Sequence, residues 1–381
     1  MYRSLFFRVC TVLILLLSLS LPAFAASPQG ISAKACVLML ADTREVLYAE
    51  NENEQLSMAS TTKIMTSLLA LESGLWEQQI KVTSDMVAAE GTSIGLLPDD
   101  LISVRTLISG MLLESGNDAA NVTAYAVAGG QAQFLELMNQ KAAEIGMKNT
   151  HFDSVSGLDT DSHYSTAYDM ALLTAYALEN PKFRSICSEK SERVYYGNPP
   201  YARTLYNHNR LLSSYEGAIG VKTGFTKKSG RCLVSAAERD GVTLIAVTLN
   251  APDDWNDHKK LLDYGFSVVK LCDASALQGD LSVKVVGGDA KTVTATTAYA
   301  PRFPAAGDTA NVQAQAYLKH FLYAPVEKGE TVGSVCYTYN GKVVAQVPLV
   351  STQSVGAVTM ENTESPKQSL FHRIWSFFKQ E

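Results

Sequence analysis

The sequence predicts an α+β fold: an antiparallel sheet flanked by helices, with a small all-β domain at its C-terminal end. Three observations carry the reading. Strand-like runs stand on both sides of a helical middle within residues 26–273. The two groups suit one antiparallel sheet whose first and last strands are distant in sequence. From residue 274 the texture changes to short alternating runs between turn residues, which gives a β-rich domain over 274–350.

The elements follow in order. Ala35–Leu40 and Glu45–Tyr48 are apolar runs separated by Ala41-Asp42-Thr43-Arg44, a hairpin turn. Helical spacing of apolar residues then recurs over 62–71, 102–113, 117–127, 133–145 and 166–178. Strand character returns at 218–222, 231–238 and 242–249, the last two joined across Asp240-Gly241, a strong hairpin signal. Residues 254–269 read as a closing helix. In the β-rich domain, Val283–Val286, Val312–Tyr317, Cys336–Tyr339 and Val343–Val347 alternate, with Asn340-Gly341 as a second tight turn.

The chain has 381 residues, 46% hydrophobic and 18% charged, an ordinary globular balance that accommodates two domains. A net charge of −6 argues against nucleic acid as a partner. The six cysteines form no CxxC pair, so no metal or redox site is expected and no cofactor is implied. Arg3 and Arg8 precede an apolar run from Val9 to Leu21 and then Ala23-Phe24-Ala25. That pattern predicts a signal peptide over 1–25 and a mature protein outside the cytoplasmic membrane. Cys10 would leave with the signal; the remaining cysteines are odd in number, so disulfides are not the main support. At the other end, 351–381 reads as a polar linker and an amphipathic helix. Leu370, Phe371, Ile374, Trp375, Phe377 and Phe378 share one face, flanked by Lys367, Arg373 and Lys379. Too short to span a bilayer, the helix is expected to lie on the membrane surface.

Three short motifs carry the chemistry. In Ser60-Thr61-Thr62-Lys63, residues three apart on a helix share a face, so the Lys63 amine can reach the Ser60 hydroxyl. A serine attacks a carbonyl when a neutral amine takes its proton, and burial, a helix dipole or a second cation would each lower the lysine pKa to that end. A capping box would place Glu or Gln where Lys63 stands. Ser267-Val268-Val269-Lys270 repeats the spacing, so this motif alone is weak. Ser115-Gly116-Asn117 breaks two helical stretches and can orient an amide and relay a proton, or simply cap a helix with Asp118. Lys222-Thr223-Gly224 stands at the end of a strand. An edge strand can bind an extended peptide, with Lys222 and Thr223 facing a carboxylate and Gly224 allowing close approach. The motifs stand in this order, 55 and 107 residues apart, and the trio resembles that of active-site serine penicillin-binding enzymes, with Ser-Gly-Asn where their pattern has Ser-Asp-Asn.

On these residues the chain resembles the low-molecular-weight penicillin-binding proteins, the serine D-alanyl-D-alanine carboxypeptidase family. The likeness extends through Gly91–Leu96, Leu113–Ala120, His163–Ala167, Asn207–Leu212 and Gly220–Thr226, and covers about residues 32–270. It implies a serine β-lactamase/transpeptidase-like catalytic domain over 26–273 and the family's appended β-domain. It also implies peptidoglycan stem peptides as substrate and β-lactam antibiotics as ligands. Ser60 would be the nucleophile, Lys63 the general base and Ser115 the proton relay, with Asn117 beside them. Lys222, Thr223 and Gly224 would bind substrate, and the backbone N–H groups of Ser60 and Phe225 would form the oxyanion hole. Ser165 reads as a helix cap rather than a catalyst. Some members carry an arginine where Asn250–Asn256 has none, so the carboxylate contact rests on Lys222, Arg210 or Arg231. Two rivals remain. A class A β-lactamase needs a deacylating glutamate, and Glu136-Leu137-Met138-Asn139 lacks its spacing. A penicillin-binding sensor or scaffold with little turnover would keep the trio.

Overall fold

The computed structural model describes residues 27–273, 281–306 and 312–358. The expected signal peptide and C-terminal amphipathic helix lie outside the described residues. Among the described residues two compact units emerge, 27–272 with 304–306, and 273 and 281–303 with 312–358. Among the described residues no helix is long and apolar enough to cross a membrane.

The first unit is built on β1 (Ala35–Leu40), β2 (Val46–Glu50), β7 (Ala218–Thr226), β8 (Gly230–Arg239) and β9 (Val242–Leu249). They form an antiparallel sheet in the order β2-β1-β9-β8-β7, with Val37 opposite Val247 where the two ends of the unit meet. Every residue of β1 and β9 is buried, because both faces of these strands are covered. The period-two alternation divides them cleanly. Ala35, Val37 and Met39 join the main core with Met65, Leu107 and Met170, whereas Cys36, Leu38 and Leu40 join a second core with Leu261 and Leu262. Each large apolar side chain so buried contributes about 1.5–3 kcal/mol before its entropic cost. Asp240 and Gly241, at φ 50° and 79°, supply the left-handed pair that a two-residue hairpin requires.

The helical middle comprises α1 (Lys63–Glu72), α2 (Val104–Leu112), α3 (Asn117–Ala128), α4 (Gln131–Ile145), α5 (Ala167–Leu178) and α6 (Pro181–Ser188); α7 (Leu211–Ser214) is a short turn and α8 (Asp254–Val268) closes the unit. Four differences from the sequence reading have local causes. Ile102 belongs to a strand, not a helix, because Ser103 caps α2 by accepting from the Thr106 amide. Thr166, not Ser165, caps α5; the Ser165 hydroxyl instead pairs with Thr150. A second, four-stranded sheet joins β3 (Gln79–Lys81), β4 (Leu101–Ser103), β5 (Ser191–Gly197) and β6 (Pro200–Tyr206), whose half-exposed strands carry little apolar alternation. Lastly, β7 continues to Thr226, so the Lys222-Thr223-Gly224 motif lies inside an edge strand rather than at its end.

The second unit is all β among its described residues. Its six-stranded sheet runs in the order Val312–Leu318, Thr331–Tyr339, Lys342–Ser351, Thr292–Thr297, Leu281–Val286, Phe321–Tyr323. Asn340 and Gly341, at φ 49° and 77°, turn its longest hairpin.

Candidate active site

The site forms where α1, the α2–α3 junction and β7 converge. Ala59–Thr62 makes one tight 3-10 turn before α1, and Ala59 takes a left-handed φ of 47°. Ser60 caps neither this turn nor α1; its hydroxyl lies 2.9 Å from the Lys63 nitrogen. Gly157, at φ 89°, abuts this turn so closely that a Cβ there would lie 2.0 Å from the Ala59 carbonyl oxygen. The Asp153 amide donates to His163 Nδ1, so His163 Nε2 carries the proton toward Thr62 Oγ1, 2.8 Å away. Thr62 in turn donates to the Ala59 carbonyl. Burial pushes the His163 pKa down to about 4, so this bracing ring is neutral.

Lys63 is fully buried. Besides Ser60, its nitrogen lies 2.6 Å from Asn117 Oδ1 and 2.7 Å from the Ser156 carbonyl oxygen. Both of those partners only accept, whereas a hydroxyl can also donate. A neutral amine satisfies the set by donating to the two carbonyls and accepting the Ser60 proton. Burial first, and the Lys222 cation second, hold the Lys63 pKa well below the usual lysine value, against an opposing pull from Asp118. The missing aqueous shell makes the charged form costly, and that is what readies the amine as a base.

Ser115 sits at φ 65° between α2 and α3, a left-handed residue that breaks the helical run and turns its side chain to the cleft. Asn117 donates to the Glu90 carbonyl while accepting from Lys63, so both ends of its amide have protein partners. Asp118 supports the junction: its carboxylate accepts from the amides of Ile94, Leu96 and Ala119 and from the Ser93 hydroxyl. On the opposite side β7 passes so near that a Cβ on Gly224 would lie 3.1 Å from the Ser60 amide nitrogen and 3.0 Å from the Met58 carbonyl oxygen. Only glycine brings two backbones this close.

These parts border a polar cleft of about 320 Å³ lined by Ser60, Ser115, Thr223, Gly224 and Phe225 together with Thr92, His208, Arg210, Arg231, Asp254 and Trp255. Lys222 stands behind the lining: it is 1% exposed, donates to its neighbour's carbonyl, and burial lowers its pKa to about 7. The second Ser-x-x-Lys is elsewhere, its Ser267 hydroxyl donating to the Tyr264 carbonyl at the end of α8. The sequence reading missed Gly157 and the Ser156 carbonyl and quoted His163 only within a block of likeness, without its bracing role; all three act across long sequence gaps. Trp255 stood in a stretch noted only for lacking arginine.

Relatives of the chain identify its family. Residues 22–253 match the family described as D-alanyl-D-alanine carboxypeptidase, and residues 266–357 match the penicillin-binding protein 5 C-terminal domain. The chain is 34% identical over 361 residues to D-alanyl-D-alanine carboxypeptidase DacF of Bacillus subtilis, covering 90% of this chain and 92% of that one. It is 36% identical to DacC of Escherichia coli, covering 93% and 90% respectively. Among solved structures, penicillin binding protein 5 from Haemophilus influenzae superposes with a TM-score of 0.64 at 28% identity, over 87% of this chain and 99% of that one. The Streptomyces K15 DD-transpeptidase gives 0.61 at 33% identity, over 64% of this chain and all of that one. A buried lysine on a turn-borne serine, a polar junction and a glycine-bearing edge strand thus lie in a chain that belongs to the D-alanyl-D-alanine carboxypeptidase family of serine peptidases, the penicillin-binding protein 5 group.

Proposed function

We propose that this enzyme releases the terminal D-alanine of peptidoglycan stem peptides through an acyl-enzyme on Ser60. The observation that carries the reading is the Lys63 nitrogen, held by two carbonyl acceptors within 2.9 Å of the Ser60 hydroxyl. As Ser60 Oγ bonds to the carbonyl carbon between the two D-alanines, its proton passes to Lys63. The amide N–H groups of Ser60 and Phe225 stabilise the oxyanion, each such donor being worth about 2.7–4 kcal/mol of barrier. The C–N bond then breaks, and Ser115 relays a proton from Lys63 to the departing amine. Water attacks the ester, Lys63 serving again as base, and the shortened peptide leaves with Ser60 restored. Thr223 and the charge of Lys222 favour the leaving residue's carboxylate. β-Lactams acylate the same serine.

D-Alanine release from a synthetic D-Ala-D-Ala peptide, together with labelling by a fluorescent penicillin, tests the reading. Labelling without release would point instead to a penicillin-binding sensor. The enzyme works, on this proposal, outside the cytoplasmic membrane, held there peripherally by residues 366–381; the support is the sequence of the two termini. Deleting 366–381 should move active enzyme from washed membranes to the soluble fraction, and continued retention would sink the anchor.

A further inference from the structure

Among the described residues, Arg210 is a cation without a counter-charge on the wall of the catalytic cleft. It immediately precedes α7, where Asn209 Oδ1 accepts from the Leu211 amide and Asn207 Oδ1 accepts from the Asn209 amide. Asn207 is itself tied to the carbonyls of Cys187 and Glu189. These bonds fix the backbone that presents Arg210, while its side chain stays exposed. The guanidinium lies 5.9 Å from the ring of Trp255, whose face limits where it can swing.

The other cations near the cleft are committed. Arg231 also sits against Trp255, but it pairs at 2.8 Å with Asp254, a carboxylate that is 3% exposed. Lys222 lies beneath the lining and bonds the Thr223 carbonyl. His208 has Glu114 at 3.6 Å, and burial and Lys222 both lower its pKa. Among the described residues no carboxylate pairs with Arg210.

We propose that Arg210, steadied on Trp255, is the specificity-determining residue that binds the substrate's C-terminal carboxylate directly, with Lys222 acting from behind as a field. The proposal rests on the carboxypeptidase reading and deepens it. A planar guanidinium with a fixed fork of donors suits a carboxylate better than a buried ammonium can. The pairing also explains why Arg231 does not serve: drawing it onto a substrate would strand the buried Asp254 charge.

The test compares a D-Ala-D-Ala peptide bearing a free C-terminal acid with its C-terminal amide. Replacing one partner of a charge-assisted hydrogen bond loses about 10- to 100-fold. Arg210→Ala should lose that much in kcat/KM on the acid and leave the amide unchanged, and Arg210→Lys should recover part of the loss. A parallel measurement needs no turnover: the free-acid peptide's Kd on Ser60→Ala protein should rise by the same factor when Arg210→Ala is added. Equal losses on acid and amide, or an unchanged Kd, would overturn the assignment. A wild-type enzyme that binds the acid through Arg210 yet releases no D-alanine would sink the carboxypeptidase reading and leave this one standing.

Discussion

Asn117 holds Lys63 from one side: its amide oxygen accepts at 2.6 Å while its amide nitrogen donates to the Glu90 carbonyl, so the amide cannot be flipped without losing both bonds. Asn117→Asp keeps the shape but sets an anion against the amine. An opposite charge at this range raises a lysine pKa by about 1–3 units, so more of Lys63 stays protonated at a given pH. The acid limb of kcat/KM should therefore move to higher pH. An unmoved limb would mean that Lys63 is not the titrating base.

Removing Lys222 moves the same limb in the same direction. Its positive charge helps hold the Lys63 pKa down, second only to burial. Lys222→Met removes the cation with little change in volume, so Lys63 binds its proton more tightly and the acid limb again rises in pH. Measuring the penicillin acylation rate against pH checks this on the acylation step alone, before any hydrolysis of the acyl-enzyme. A limb that shifts downward would remove Lys222 as a cause.

Ser60→Ala should abolish both D-alanine release and penicillin labelling, with the melting temperature little changed because, among the described residues, the hydroxyl bonds only to Lys63. Residual labelling traced by peptide mapping to Ser115 or Ser267 would assign the nucleophile elsewhere. Lys63→Ala should likewise stop acylation.

What was legible in the sequence was whatever is written locally. The hairpin at Asp240-Gly241, the apolar run of β1 and the Ser60-to-Lys63 spacing are each contained in a few residues, and the sequence reading found all three. Bracing contacts are not local. Gly157 meets Ala59 across most of the helical middle, and a lone glycine gives no periodic signal. The extent of β7 past Gly224 was hidden for a related reason: glycine ordinarily interrupts a strand, and only the neighbouring Ser60 turn explains its presence inside one. The commitment of Arg231 to Asp254, which leaves Arg210 available, is likewise visible only in three dimensions.

Gly157 offers the sharpest test of how the nucleophile is held. An alanine Cβ there would stand 2.0 Å from the Ala59 oxygen, 2.4 Å from its carbon and 2.9 Å from Thr62 Oγ1, in a backbone conformation that alanine already resists. Both the clash and the left-handed φ oppose the substitution, so Gly157→Ala should cost about 2 kcal/mol or more of stability. Relief by backbone movement would displace the adjoining Ser156 carbonyl from Lys63 and the Ala59 turn from Ser60. Acylation should consequently slow by more than the loss of folded protein accounts for, when scored on the folded fraction below the melting transition. A variant that melts earlier but acylates at the full rate once folded would show that the turn recovers its geometry without Gly157.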